Sequence, residues 1–250
     1  MSGLASLPMY DRSECRDATD RYWAGIRDLL RAAGIAAPEA LRRDGDIWDH
    51  WQASDLVLSQ TCGLPYRSRL HGRVTLVGTP DFGVEGCPPG YYRSVLVARA
   101  DDPRDGFAAF GAARFAYNDG LSQSGWGAAW DHACAEDVTL TPVGPTGGHR
   151  LSALAVAEGR ADLAAIDAVT WRLLTRWEPW TAGLRVVGQT RPTPGLPYVC
   201  AKGGDGAAVL AAVRGALAAL SDADRSLLGI RGIVDIPAAE YLAVPVPPAP

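Results

Sequence analysis

Lysine is nearly absent from this 250-residue sequence: Lys202 is the only one, so the 24 basic positions are almost all arginines, set thinly rather than in runs. With 28 acidic residues the chain carries a net charge of −4 and a pI near 5.6, the wrong balance for gripping a phosphate backbone, and nucleic acid is excluded as a main partner. An apolar run of the ~18–20 residues that span a bilayer is also missing. The start, Met1 to Tyr10, lacks the charged segment, apolar run and small-residue cleavage site of a secretory leader. As written, the sequence is expected to act in the cytoplasm; the alternative is a periplasmic protein whose leader is omitted. Its five cysteines (Cys15, Cys62, Cys87, Cys134, Cys200) are odd in number, scattered and without a C-x-x-C pair, which argues against a zinc site or a disulfide framework. They read as reduced, mostly buried thiols. No P-loop, G-x-S-x-G, H-E-x-x-H or Rossmann glycine signature occurs.

What is present is a chain able to bury a core, with 48% apolar and 21% charged positions. Its length suits one large domain or two lobes of ~100–130 residues. Strand and helix signals alternate almost throughout, the pattern of an α/β protein with largely parallel sheets. Leu4 to Met9 reads as a first strand. From Thr19 to Ala33, Tyr22, Trp23, Ile26, Leu29, Leu30 and Ala33 fall on a helical stripe, which Gly34 stops. Strands are expected at Asp55–Gln60, Arg73–Val77 and Tyr91–Ala100, with a short helix at Leu64–Leu70 and a glycine- and proline-rich break at Gly78–Gly90. A second block follows: strand 114–117, helix 122–135, strand 138–143, helix 149–158, strand 162–166 and helix 167–177. Strands near Leu184–Gly188 and Leu196–Ala201 precede helices at Gly206–Leu220 and Asp222–Leu228, the latter capped by Ser221. Val244 to Pro250, with four prolines in seven residues, is expected to be extended and loose.

Three segments carry candidate chemistry. Tyr117-Asn118-Asp119-Gly120-Leu121-Ser122-Gln123-Ser124-Gly125-Trp126 joins a strand to a helix, where ligands of α/β folds settle outside the strand ends. Ser122, Ser124 and Gly125 would occupy the first turn, whose outward N–H groups and dipole favour an anion; plain helix capping is the competing role. Thr146-Gly147-Gly148-His149-Arg150 opens a second helix, with His149 able to donate to an oxyanion or simply to sit at a helix start. Asp167 ends the strand signal Ala161–Ile166, as a residue at the mouth of the lobe or as the cap of the next helix.

In their order and intervals, Ser122-Gln123-Ser124-Gly125, Gly148-His149 to Glu158-Gly159 and Ala161 to Asp167 resemble the type II periplasmic binding proteins that serve ABC transporters for phosphate, phosphite and phosphonates. The resemblance covers nearly the whole chain, with Gln123 standing where the family usually has Thr. It implies two α/β lobes, each a mostly parallel sheet flanked by helices: 1–90 with 190–250, and 101–187. Strands 91–100 and 184–189 would be hinge crossings. A small oxyanion, phosphonate- or phosphate-like, would be clamped between lobes that close by a hinge motion and returned unchanged. Beside Ser122, Gln123, Ser124, Gly125, His149 and Asp167, the implied contacts are Tyr10 at the end of the first strand, Gln60, Thr61 and Cys62 at the end of another, Tyr66 and Trp171. Tyr10, Tyr66 and Trp171 have packing as their alternative, and Cys62 that of a small buried residue. No cofactor or metal is implied. The expected partners are a small anion and either an ABC permease or a cytoplasmic circuit, with the protein a monomer or weak dimer.

The competing reading is a cytoplasmic enzyme of the same fold acting on a small phosphorylated or pyrimidine-type metabolite. Cys62 and His149 could then serve as nucleophile and base, among an inventory that includes His71, His132 and Asp167. The related branch that makes a thiamine pyrimidine uses a cysteine-rich iron motif, which this sequence lacks.

Overall fold

A computed structural model describes residues 3–250. In chain order the first elements are β1 (Leu4–Ser6), α1 (Arg16–Ala32), α2 (Ile47–Gln52), β2 (Leu56–Gln60), α3 (Gly63–Pro65) and β3 (Val74–Asp81). Next come β4 (Tyr91–Tyr92), β5 (Ser94–Arg99), β6 (Arg114–Ala116), α4 (Ala128–Ala135), β7 (Thr141–Pro142) and α5 (His149–Ala157). After these stand β8 (Leu163–Asp167), α6 (Ala168–Trp177), β9 (Leu184–Gln189), β10 (Thr193–Pro194) and β11 (Tyr198–Ala201). The remaining elements are α7 (Gly206–Ala219), α8 (Asp222–Leu228), β12 (Gly232–Val234) and α9 (Ala238–Leu242). They assemble into two compact units, one running to Gly90 and resuming over Pro194–Leu242, the other comprising Tyr91–Thr193 and Ala243–Pro250.

The first unit is built on a five-stranded sheet of order β1-β2-β11-β3-β12. Helix α1 forms because Tyr22, Trp23, Ile26 and Leu30 recur at helical spacing and bury together. It begins at Arg16, before the expected Thr19, and Gly34 at φ +78° provides the left-handed stop. Its apolar face packs on α7, whose Val209, Val213, Ala216 and Leu217 are likewise buried. Strand β3 continues through Gly78 to Asp81, beyond the expected end at Val77, because β12 pairs with its last residues.

The second unit holds a five-stranded sheet of order β7-β6-β8-β5-β9. Alternation along β5 fills both of its faces: Leu96 and Ala98 join Phe107, Phe110, Phe115 and Trp126, while Val95 and Val97 join Val156, Ile166 and Leu174. In the first unit, helix α8 carries the anticipated Ser221 cap, its hydroxyl accepting the Asp224 N–H at 3.1 Å.

Both sheets are mixed rather than largely parallel. β1 with β2, and β6 with β7 and β8, run parallel, whereas β11 opposes β2 and β3, β12 opposes β3, and β5 opposes β8 and β9. Strand β11 enters its sheet after the excursion through the second unit, so its direction is not fixed by a βαβ crossover. In the region expected to form the crossings, β5 and β9 pair with each other inside the second sheet, and the chain passes between the units at Gly90–Tyr91, Thr193–Pro194 and Leu242–Ala243. A strand as buried as β5 belongs to a sheet interior. The expected strand 138–143 shrinks to Thr141–Pro142. The proline-rich segment from Ala243 groups with the second unit, not with the first. Among the described residues no single helix is long and apolar enough to cross a membrane, and no cluster of three His, Cys, Asp or Glu side chains is placed to hold a metal ion.

Candidate ligand-binding site

In the second unit, β6 leads through Asn118 and Asp119 into a helix whose first turn is wide. Ser122 is its N-cap, its Oγ accepting the Gly125 N–H at 3.0 Å, and Gln123–Gly127 form a π-helical turn closed by the Gly127 N–H on the Ser122 carbonyl. Such turns are rare and concentrate at functional positions, because they displace backbone groups from the regular ladder. Helix α4 continues directly from it. The capping role expected as the plain alternative for Ser122 is therefore real. Ser124 is different: its Oγ lies 2.8 Å from Nε2 of His149, and its carbonyl accepts the Ser94 hydroxyl at 2.8 Å.

Gly125 has a steric reason. A Cβ there would stand 1.7 Å from Oδ1 of Asn118, so only glycine lets the turn lie against that amide. Oδ1 of Asn118 is itself shut from solvent and makes no hydrogen bond. Asn118 and Ser94 were given no role from the sequence: Ser94 acts through a contact 30 positions away, and Asn118 through the way the 118–125 segment folds back on itself.

His149 is the first residue of α5, after Gly148 in extended backbone. Burial disfavours the imidazolium and draws the His149 pKa down to about 4, with the Ala165 backbone opposing this only in part. At neutral pH the Ser124–His149 pair is uncharged. Asp167 ends β8 and caps α6, accepting the Val169 and Thr170 N–H groups on Oδ1 at 2.7 and 2.9 Å. In the sheet it stands opposite Ser94, the residue that holds the Ser124 carbonyl, so Ser124, Ser94 and Asp167 belong to one neighbourhood. Trp171 packs, half-buried, on the Val95–Ile166 face of the core.

The first unit brings Gln60, Thr61 and Cys62 together at the end of β2, and β1, which precedes Tyr10, is its parallel neighbour. Gln60 donates its side-chain amide to the Leu196 carbonyl at 3.1 Å, and Thr61 donates its backbone N–H to Pro197. Cys62 precedes the short helix α3 in extended backbone. Tyr66 is buried edge-on against Tyr241, with ring centroids 5.1 Å apart, and burial raises its phenol pKa. That is the packing role weighed for it. Tyr10 stacks edge-on against Phe82 at 4.9 Å and holds φ at +65°, a left-handed backbone that costs a tyrosine about 1–3 kcal/mol.

The sequence profile described as "ABC transporter, phosphonate, periplasmic substrate-binding protein" matches residues 66–241. No curated protein matches the chain by sequence. Among solved structures, PhnD1 of Prochlorococcus marinus in complex with methylphosphonate superposes with a TM-score of 0.73 at 15% identity, covering 96% of this chain and 94% of that one. XAC2383 of Xanthomonas citri bound to chloride gives 0.71 at 16% identity, over 97% and 95% of the two chains. A binding protein component of an ABC phosphonate transporter of Pseudomonas aeruginosa gives 0.64 at 16% identity, over 94% and 82%. The fold is thus the α/β, two-lobed type II periplasmic-binding-protein fold with two mixed, helix-flanked sheets. The chain belongs to the family of periplasmic substrate-binding proteins of phosphonate ABC transporters, a non-catalytic family of ligand-binding components.

Proposed function

We propose that the ligand is a small phosphonate or phosphate-like oxyanion, bound unchanged, and that Ser122–Gly125 with His149 forms the part of the second unit that holds it. The carrying observation is the 2.8 Å contact between Ser124 Oγ and Nε2 of the neutral His149. With the ring N–H on Nε2, the imidazole donates to Ser124 and leaves the hydroxyl hydrogen to point at an anion. The dipole of the helix that starts at Gln123 supplies the remaining attraction without a cation. Gln123 and Asp167 border this cluster, and in the first unit Tyr10, Gln60, Thr61 and Cys62 are the proposed further contacts. An ABC permease is the proposed partner. Thermal-shift screening against methylphosphonate, inorganic phosphate, alkylsulfonates and dicarboxylates tests the reading: a ligand at 100 times its Kd stabilises by about 2.7 kcal/mol. A shift with dicarboxylates alone would overturn it.

A further inference from the structure

The proline-rich segment Ala243–Pro250 is seated on the second unit at the same helix start that carries Ser122–Gly125. The Trp126 indole Nε1–H donates to the Pro248 carbonyl at 2.7 Å, and Trp126 is only 4% exposed, its ring packed against Tyr117 and Phe115. Two glycines flank that anchor. A Cβ on Gly120 would come within 3.1 Å of the Pro250 ring, and one on Gly127 within 3.7 Å of the Pro247 ring. Pro247, Pro248 and Pro250 thus meet Gly127, Trp126 and Gly120 in turn. Recognition of extended proline-rich chain uses this chemistry: an aromatic N–H takes a carbonyl that no backbone ladder uses, and flat, side-chain-free surface admits the rings of a segment already low in conformational entropy.

We propose that Gly120, Trp126 and Gly127 form a docking groove for a proline-rich extended segment, that its occupant is the chain's own Ala243–Pro250, and that docking steadies the π-helical turn bearing Ser122, Ser124 and Gly125. Trp126 lies inside that turn, so whatever fixes its indole fixes the neighbouring donors. Because Leu242 belongs to the first unit and Ala243 to the second, the segment also makes a third covalent passage between the units. By linkage, an oxyanion that orders the turn tightens the segment, and the docked segment raises oxyanion affinity by the same factor. The coupling part rests on the function proposed above; the docking part does not.

The test compares the full-length protein with a P247G/P248G/P250G variant of the same length, following the Trp126 indole N–H by NMR and binding of methylphosphonate and inorganic phosphate by calorimetry. In the wild type the Trp126 indole N–H is expected to exchange slowly and Val246 and Ala249 to show rigid-backbone relaxation. The variant is expected to exchange the indole about fivefold faster and to lose about fivefold in affinity for whichever probe binds, in line with one hydrogen bond. Fast indole exchange with a mobile Val246 in the wild type would overturn the docking groove, whether or not either probe binds. A released segment with unchanged probe affinity would overturn the coupling. A W126F variant that keeps the fold and frees Val246 supports the indole anchor; one that leaves Val246 rigid overturns it.

Discussion

The Ser124 hydroxyl and the His149 imidazole, 25 positions apart in the sequence, meet at 2.8 Å across the starts of two helices. Each helix start alone has an ordinary structural explanation. Together they place a hydroxyl, a neutral ring and the opening of α4 in one spot. Replacing Ser124 by Ala is expected to weaken binding of methylphosphonate or phosphate about tenfold to a hundredfold, the range for a hydrogen bond to a charged group. Ser122→Ala is expected to weaken binding and also to destabilise the fold by about 1 kcal/mol, since it removes the cap. Isothermal titration together with thermal denaturation separates the two effects; unchanged affinity in both folded variants would leave the serines as structural residues only.

Gly125→Ala is expected to destabilise the protein by about 1–3 kcal/mol through the clash with Asn118 Oδ1. Adding Asn118→Ala should recover most of that loss. Urea unfolding of the two single variants and the double variant checks it, and additive losses would show that Asn118 is not the obstacle.

Burial holds the His149 pKa near 4, below the ordinary histidine value of 6.5. The unfolded chain therefore binds more protons than the native protein between those values, so this group's contribution is complete above about pH 6.5 and is lost as the pH falls towards 4. The expected loss is at most about 3 kcal/mol. His149→Gln should flatten this part of the stability profile, which denaturation at several pH values measures directly. An identical profile in the variant would place the acid sensitivity elsewhere.

None of the five cysteines forms a disulfide, and only Cys134 is exposed. A maleimide reagent is expected to modify Cys134 rapidly in the native protein and Cys15, Cys62 and Cys200 only after unfolding, burial also raising the Cys200 thiol pKa. Mass spectrometry of peptides from native and denatured samples gives the order. Rapid native labelling of Cys62 would show the end of β2 to be open to reagents.

Local rules fixed much of this molecule in advance. The stripe from Tyr22 to Leu30 dictates α1, Gly34 its end, and Ser221 the start of α8, because capping and helical periodicity are short-range properties legible within about a turn of chain. The serine and glycine pattern at 122–125, the Gly148-His149 pair and the acid closing the 161–167 strand likewise mark helix starts and a strand end by residue type alone. Strand direction did not follow, since antiparallel β11 and β5 depend on where the chain re-enters each sheet. Nor did the requirement for Gly125, set by an Asn118 amide in space, or the fate of the proline-rich segment, set by one buried indole N–H. Composition limits which groups a chain can offer; which of them meet is decided by long-range packing, and the contact of Ser124 with His149 exists only once the β6, α4 and α5 segments are assembled on the same sheet.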